Sequence, residues 1–332
     1  MAGVWDGGEV LISHQEFSGR VTDKDGVDSH YHATHVGGTI GASGIQSSAK
    51  GMAPEVLIDS YDWNDDDSEM ANAAASAPGQ TNLYLSNHSY GYTVDEEYWF
   101  GRYPSFVATV DDVVYDSQYY LPFWAAGNEQ GEVSGGYDTL STKGVAKNVI
   151  TVGAVYDAVS GSSRYLPNAN MISFSSWGPA DDGRIKPDIV ANGYSLYSCG
   201  DGNDSDYRTL SGTSMATPNA CGSAALLVDY YDDLFPGQAM RASTLKGLII
   251  HTADDLGNPG PDYKFGWGLM NTLAAAELLT DRVANSTRLT EATVTVSQRS
   301  DTYTFFSDGS EPVRVTLCWT DPEGSAQTTD ND

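Results

Sequence analysis

Basic residues are scarce in this chain. Seventeen Lys and Arg face 45 Asp and Glu over 332 residues, a formal net charge of -28. A phosphate backbone would be repelled by such a surface, so nucleic-acid binding is not expected. The acidic residues are dispersed along the chain, as on a solvated surface; a saline habitat or bound cations would also suit them. Cysteine is nearly absent. Cys199, Cys221 and Cys318 are an odd, sparse set and no disulfide framework, although a Cys199–Cys221 bridge stays open. No apolar run approaches the ~20 residues needed to cross a bilayer. The segment from Met1 lacks the basic start and apolar stretch of a signal peptide. It reads instead as the end of a strand, so the chain is expected to begin inside a domain. There is no internal repeat and no low-complexity tract.

What is present is an ordinary globular composition, 40% hydrophobic and 19% charged. Short apolar runs read as buried strands at Ala2–Trp5, Val56–Tyr61, Leu83–Ser86, Phe123–Ala126 and Val149–Val155. Stretches of helical character separate them, among them Glu69–Ala77 and Phe106–Ser117. Strands alternating with helices predict an α/β fold, a mostly parallel sheet with helices on both faces. Ligand sites in such sheets gather at the carboxyl ends of the strands. Met215–Tyr231 reads as a buried helix starting near Ser214, with Pro218 in its first turn. Another helix is expected at Leu269–Leu279. From about Arg288 the texture changes to β-formers between turn residues, at 293–296, 302–306 and 313–319. The expectation there is the start of a second, antiparallel β domain, with boundaries at 1–284 and 285–332.

Four segments carry candidate chemistry. Gly212-Thr213-Ser214-Met215-Ala216-Thr217-Pro218 sets a serine among small residues where a helix begins, and a helix N-terminus suits a developing oxyanion. Standing alone, such a serine is more often part of a turn. His32-Ala33-Thr34-His35 places two histidines one helical turn apart. It lacks the Glu and the i,i+4 spacing of a zinc-protease helix, so one His can be a general base and the other structural. Asp6 closes a β-run before Gly7-Gly8, a position from which a carboxylate can orient an imidazole. Asn128 ends the strand Phe123–Ala126, where its amide could donate to an oxyanion. In isolation Asp6 and Asn128 both read as turn residues.

Taken together, these segments resemble the signature segments of the subtilisin-like serine protease family, in the order Asp, His, Asn, Ser. Gly51-Met52-Ala53-Pro54, Asn87-His88-Ser89-Tyr90-Gly91, Ser175-Ser176-Trp177-Gly178 and Lys186-Pro187-Asp188 match in style, and the resemblance spans roughly residues 2–280. It implies a serine endopeptidase with Asp6, His32 and Ser214 as the triad and Asn128 as oxyanion donor. His35 matches the second, non-catalytic histidine. The β-rich tail resembles subtilases that carry a C-terminal jelly-roll domain, so 1–284 would be the peptidase domain, without its N-terminal part, and 285–332 a truncated jelly roll. Two departures stand out: Gly7 where Ser or Thr is usual, and Ala33 for a Gly.

The resemblance further implies protein or peptide substrates lying extended along Ser89, Tyr90 and Gly91. Ala125, Ala126 and Gly127 would line a primary pocket open to a large apolar side chain, which gives broad specificity. No cofactor is needed for the chemistry. A structural calcium ion is an expectation, with Asp201, Asn203 and Ser205 as candidate ligands in an alternating oxygen run. A secreted monomer, acting on neither nucleic acid nor membrane, completes the expectation. The rival readings are an α/β-hydrolase esterase, whose order Ser, Asp, His this chain does not follow, and a non-catalytic binding module.

Overall fold

The computed structural model describes residues 1–91, 99–140, 142–310 and 312–327. In chain order the strands are β1 (Ala2–Asp6), β2 (Val21–Asp23), β3 (Ile58–Asp62), β4 (Leu85–His88), β5 (Leu121–Ala125), β6 (Ile150–Val155), β7 (Val159–Ser160), β8 (Ser163–Arg164), β9 (Ile189–Asn192), β10 (Leu196–Cys199) and β11 (Tyr207–Leu210). The helices are α1 (Tyr31–Gly41), α2 (Asp66–Ala73), α3 (Ser105–Asp116), α4 (Thr213–Leu234), α5 (Ala242–Thr252) and α6 (Thr272–Ala284). Seven strands form one sheet in the order β2-β3-β1-β4-β5-β6-β9, every pair parallel. β10–β11 and β7–β8 are separate antiparallel pairs.

The central strands β1, β4, β5 and β6 are buried on both faces, which is why β1, β5 and β6 read as unbroken apolar runs. One face packs against α1, α4, α5 and α6, with Val4, Ile58, Leu85, Phe123 and Val152 pointing into that core. The other packs against α2 and α3, with Trp5, Tyr61 and Trp124 pointing the opposite way. α4 and α1 approach closely because Gly222 has no side chain; a Cβ there would lie 3.2 Å from Ile40 Cα.

The tail departs from expectation. Among the described residues from Leu289 onward there is no strand. Its β-formers stand in solvent, Phe306 at 91% and Val296 at 85% exposure. Alternation alone does not make a sheet; a strand needs a partner to satisfy its backbone and cover its apolar face. The tail instead lies along the domain through point contacts: His251 Nδ1 to Thr316 Oγ1 at 2.8 Å, Asp321 N to Asn148 Oδ1 at 3.0 Å, and Gln327 N to Tyr103 O at 2.8 Å. Cys199 and Cys221 are both buried and both free thiols, so the disulfide left open by the sequence does not form.

Candidate active site

The site is assembled from the carboxyl ends of β1, β4 and β5 and from the first turns of α1 and α4. Asp6 is the last residue of β1 and is 1% exposed. Its Oδ1 accepts the Gly7 N–H at 2.8 Å, and His32 Nδ1, in the first turn of α1, lies 2.8 Å from both carboxylate oxygens. Burial works against the imidazolium, but the charge and hydrogen bonding of Asp6 outweigh it and hold His32 above its ordinary pKa. Such a contact also fixes the tautomer, leaving Nε2 as the available base.

β1 pairs with β4 so that Trp5 stands opposite His88. Ser89, the next residue after β4, therefore emerges beside Asp6. Ser214 is the second residue of α4, and the two serines exchange hydrogen bonds: Ser214 Oγ donates to Ser89 O at 3.0 Å, and Ser89 Oγ donates to Ser214 O at 2.9 Å. The second bond has a cause in the sequence. Pro218 lies one turn further along than the sequence reading placed it, at the position whose N–H would bond Ser214 O; lacking that N–H, it leaves an acceptor that Ser89 fills. No hydrogen bond joins His32 to Ser214 among the described residues; the serine rests on Ser89 O.

Asn128 follows β5. Its Oδ1 accepts from Thr213 N at 2.9 Å and from Thr213 Oγ1 at 3.2 Å. A backbone N–H can only donate, so the amide's oxygen faces the start of α4 and its NH₂ points away from Thr213. Thr213 was not singled out from the sequence, yet it aims both the amide and the start of α4. Ala125, Ala126 and Gly127 are buried along the same segment.

Beneath these residues runs a ladder of rings that sequence reasoning missed. Tyr61, Trp5, His88 and Trp124 occupy matching registers on β3, β1, β4 and β5. Their centroids are 4.1, 5.2 and 4.1 Å apart, with planes within 17°. Tyr61, Trp5 and Trp124 lie one residue before the ends of β3, β1 and β5 and His88 ends β4, so the ladder forms a stiff floor. The edge segment is tied to it: Trp124 Nε1 donates to Tyr90 O at 3.1 Å and Tyr90 OH donates to Asp66 Oδ2 at 2.7 Å. Asp66 is buried and paired with buried Lys143 at 2.6 Å. Burial and the nearby Lys143 charge both push His88 well below its ordinary value.

His35 is fully buried, bonded through Nε2 to Leu196 O at 3.0 Å, and burial pushes its pKa down to about 4. It is the neutral, structural member of the histidine pair. The proposed calcium ligands turn inward on themselves: Asn203 Oδ1 accepts from Ser205 N and Oγ at 3.0 Å each, and Asp201 pairs with Arg208 at 3.2 Å. Among the described residues no group of three or more His, Cys, Asp or Glu is arranged to hold a metal ion. No described helix is long and apolar enough to cross a membrane.

Known proteins are similar to this chain. Residues 11–268 match the model of the subtilase family. Subtilisin DY of Bacillus licheniformis is 30% identical over 278 residues, covering 82% of this chain and 84% of that protein. Serine protease AprX of Bacillus subtilis is 28% identical over 284 residues. The serine protease/ABC transporter B family protein tagD of Dictyostelium discoideum is 27% identical over 358. The chain spans 57% of the length of AprX and 19% of that of tagD. Among solved structures, the prenylagaramide maturation protease PagA superposes with a TM-score of 0.66 at 22% identity, over 85% of this chain and 94% of that one. The protease domain of PatA gives 0.63 at 23%. That likeness extends to the fold, and the match over most of the sequence to descent: the chain belongs to the subtilase family.

Proposed function

We propose that this chain is a serine endopeptidase that cleaves peptide bonds through an acyl-enzyme on Ser214. The observation that carries the reading is the convergence of four distant segments. The Asp6–His32 contact at 2.8 Å, the Ser214 hydroxyl at the start of α4 and the amide of Asn128 share one sheet end. In the proposed reaction Ser214 Oγ attacks the scissile carbonyl while its proton passes to His32 Nε2. Asp6 stabilises the imidazolium that results. The tetrahedral oxyanion takes hydrogen bonds from the Asn128 amide and the Ser214 N–H. Its collapse expels the amine, which receives the His32 proton; water then repeats the sequence on the ester, with His32 again as base. These steps require no cofactor.

Substrate lies extended along Ser89–Gly91, beyond the point where β4 stops pairing with its neighbours, and adds there as a strand; Tyr90 O is already held by Trp124, and Ser89 O is released when the Ser214 hydroxyl turns to attack. Small residues at Ala125, Ala126 and Gly127 favour a roomy apolar primary pocket and broad specificity. A secreted monomer acting on proteins belongs to the same proposal. In Ser214→Ala, burst acylation by an activated peptide ester disappears and kcat falls by on the order of 10⁶, the scale found in subtilisins when the triad serine is removed. Retention of the burst in that variant overturns the assignment.

A further inference from the structure

A second histidine faces the same carboxylate. His30 is the residue before α1, and its Nδ1 lies 4.0 Å from Asp6 Oδ1. The ring is 40% exposed as a whole, yet Nδ1 itself is buried and has no hydrogen-bond partner among the described residues. Its backbone is held on both sides: His30 N donates to Glu9 O at 2.8 Å and His30 O accepts from Thr34 N at 2.9 Å. The ring cannot wander far from Asp6.

Asp6 has capacity to spare. An ionised carboxylate offers about four acceptor positions, and here the donors are the Gly7 N–H and His32 Nδ1. Gly7 brings no side-chain donor. It also leaves space, since a Cβ there would lie 3.5 Å from His30 Nδ1 and 3.1 Å from the Trp63 ring. A buried carboxylate and a buried, unpartnered ring nitrogen therefore face one another with no side chain between them. About 1 Å of approach converts the contact into a hydrogen bond.

We propose that His30 is a positioning residue for the triad, supplying through Nδ1–H a further hydrogen bond to Asp6 in place of a side chain at residue 7. The proposal rests on the peptidase reading above. It gives His30 the Nδ1–H tautomer and spreads the Asp6 charge over two imidazoles. The titratable groups around His30 are Asp6 from β1 and Tyr31 and His32 from α1, with the Arg208 guanidinium 4.8 Å from the Tyr31 ring centre. Of these, Asp6 alone can accept from Nδ1 at the observed approach.

Two substitutions separate the donor from the bulk. Asn places an amide N–H₂ near the position of Nδ1; Leu has a similar size and no donor. In the Ser214→Ala background, where no turnover is needed, the His32 titration is followed by NMR of its ring protons. With His30→Leu the His32 midpoint moves to higher pH, because Asp6 directs its whole charge at His32; with His30→Asn it returns. In the Ser214 protein, His30→Leu lowers kcat/KM about tenfold and moves its acid limb upward, and His30→Asn restores both. An unmoved His32 midpoint in His30→Leu overturns the proposal, as does His30→Asn behaving like His30→Leu. Failure of the peptidase reading shows separately, as turnover surviving Ser214→Ala.

Discussion

The cleft end of the sheet and the closed interior behind it treat the same kinds of side chain in opposite ways. His32 and His35 stand one turn apart on α1, yet one is held above its ordinary pKa and the other is pushed to about 4. His32 faces a carboxylate; His35 faces a carbonyl and is fully buried. Carboxylates divide likewise. Asp188, buried between β6 and β9, accepts from Lys186 at 2.7 Å, Lys246 at 3.0 Å and Thr151 N at 2.8 Å. Burial pushes its carboxyl up, but the two ammonium groups outweigh it and hold it below the usual range. In the cleft, Asp6, Ser214 and the Asn128 amide each keep hydrogen-bonding capacity in reserve. Saturated networks hold the fold; unsaturated ones are free to meet a substrate.

The contrast can be broken at either end. Asp188→Ala leaves two buried or half-buried ammonium groups without their counter-charge and is expected to cost about 3–5 kcal/mol in stability. Urea denaturation measures it, while turnover per folded molecule stays close to that of the parent; a loss of turnover at unchanged stability would erase the distinction. Asn128→Asp is the converse. It keeps an oxygen for Thr213 and removes the NH₂ donor, so kcat drops by roughly 10²–10³, the range seen on removing this donor in subtilisins themselves, while the thermal midpoint holds. The smallest effect is an acid-side one. His35 has a folded pKa of about 4 against an ordinary 6.5, so the unfolded chain binds more protons between those values. Its contribution is whole above pH 6.5 and is lost as pH falls toward 4, about 3 kcal/mol in all. His35→Gln should flatten that slope in denaturation curves. His32 runs the other way: its contribution is present below pH 6.5 and is lost as pH rises through its folded value.

Much of this was legible in the chain itself. Apolar runs located five central strands, although β3 and β4 begin two residues later than the hydrophobicity implies, at Ile58 and Leu85. Parallel pairing with β1 sets those ends, and pairing is a property of neighbours. α5 carried no motif and was passed over. Residues with a spacing signature, His32 and Ser214 among them, were found; Thr213, Trp5, His88 and His30 were not, because their roles arise from register and approach. The tail misled because its alternation is real while its partner strand is not among the described residues.

Sequence alone determined the chemistry available: one carboxylate, one imidazole, one hydroxyl and one amide, each in a segment whose small neighbours or strand-end position made it reachable. Tertiary structure decided their states. Asp6 and His32 are 26 positions apart and Ser89 and Ser214 are 125 apart, and only folding brings each pair within reach. Hydrogen bonding and desolvation act over a few ångströms of space, whatever the separation along the chain, so which histidine is basic, which aspartate is buried and which way an amide points were settled by packing.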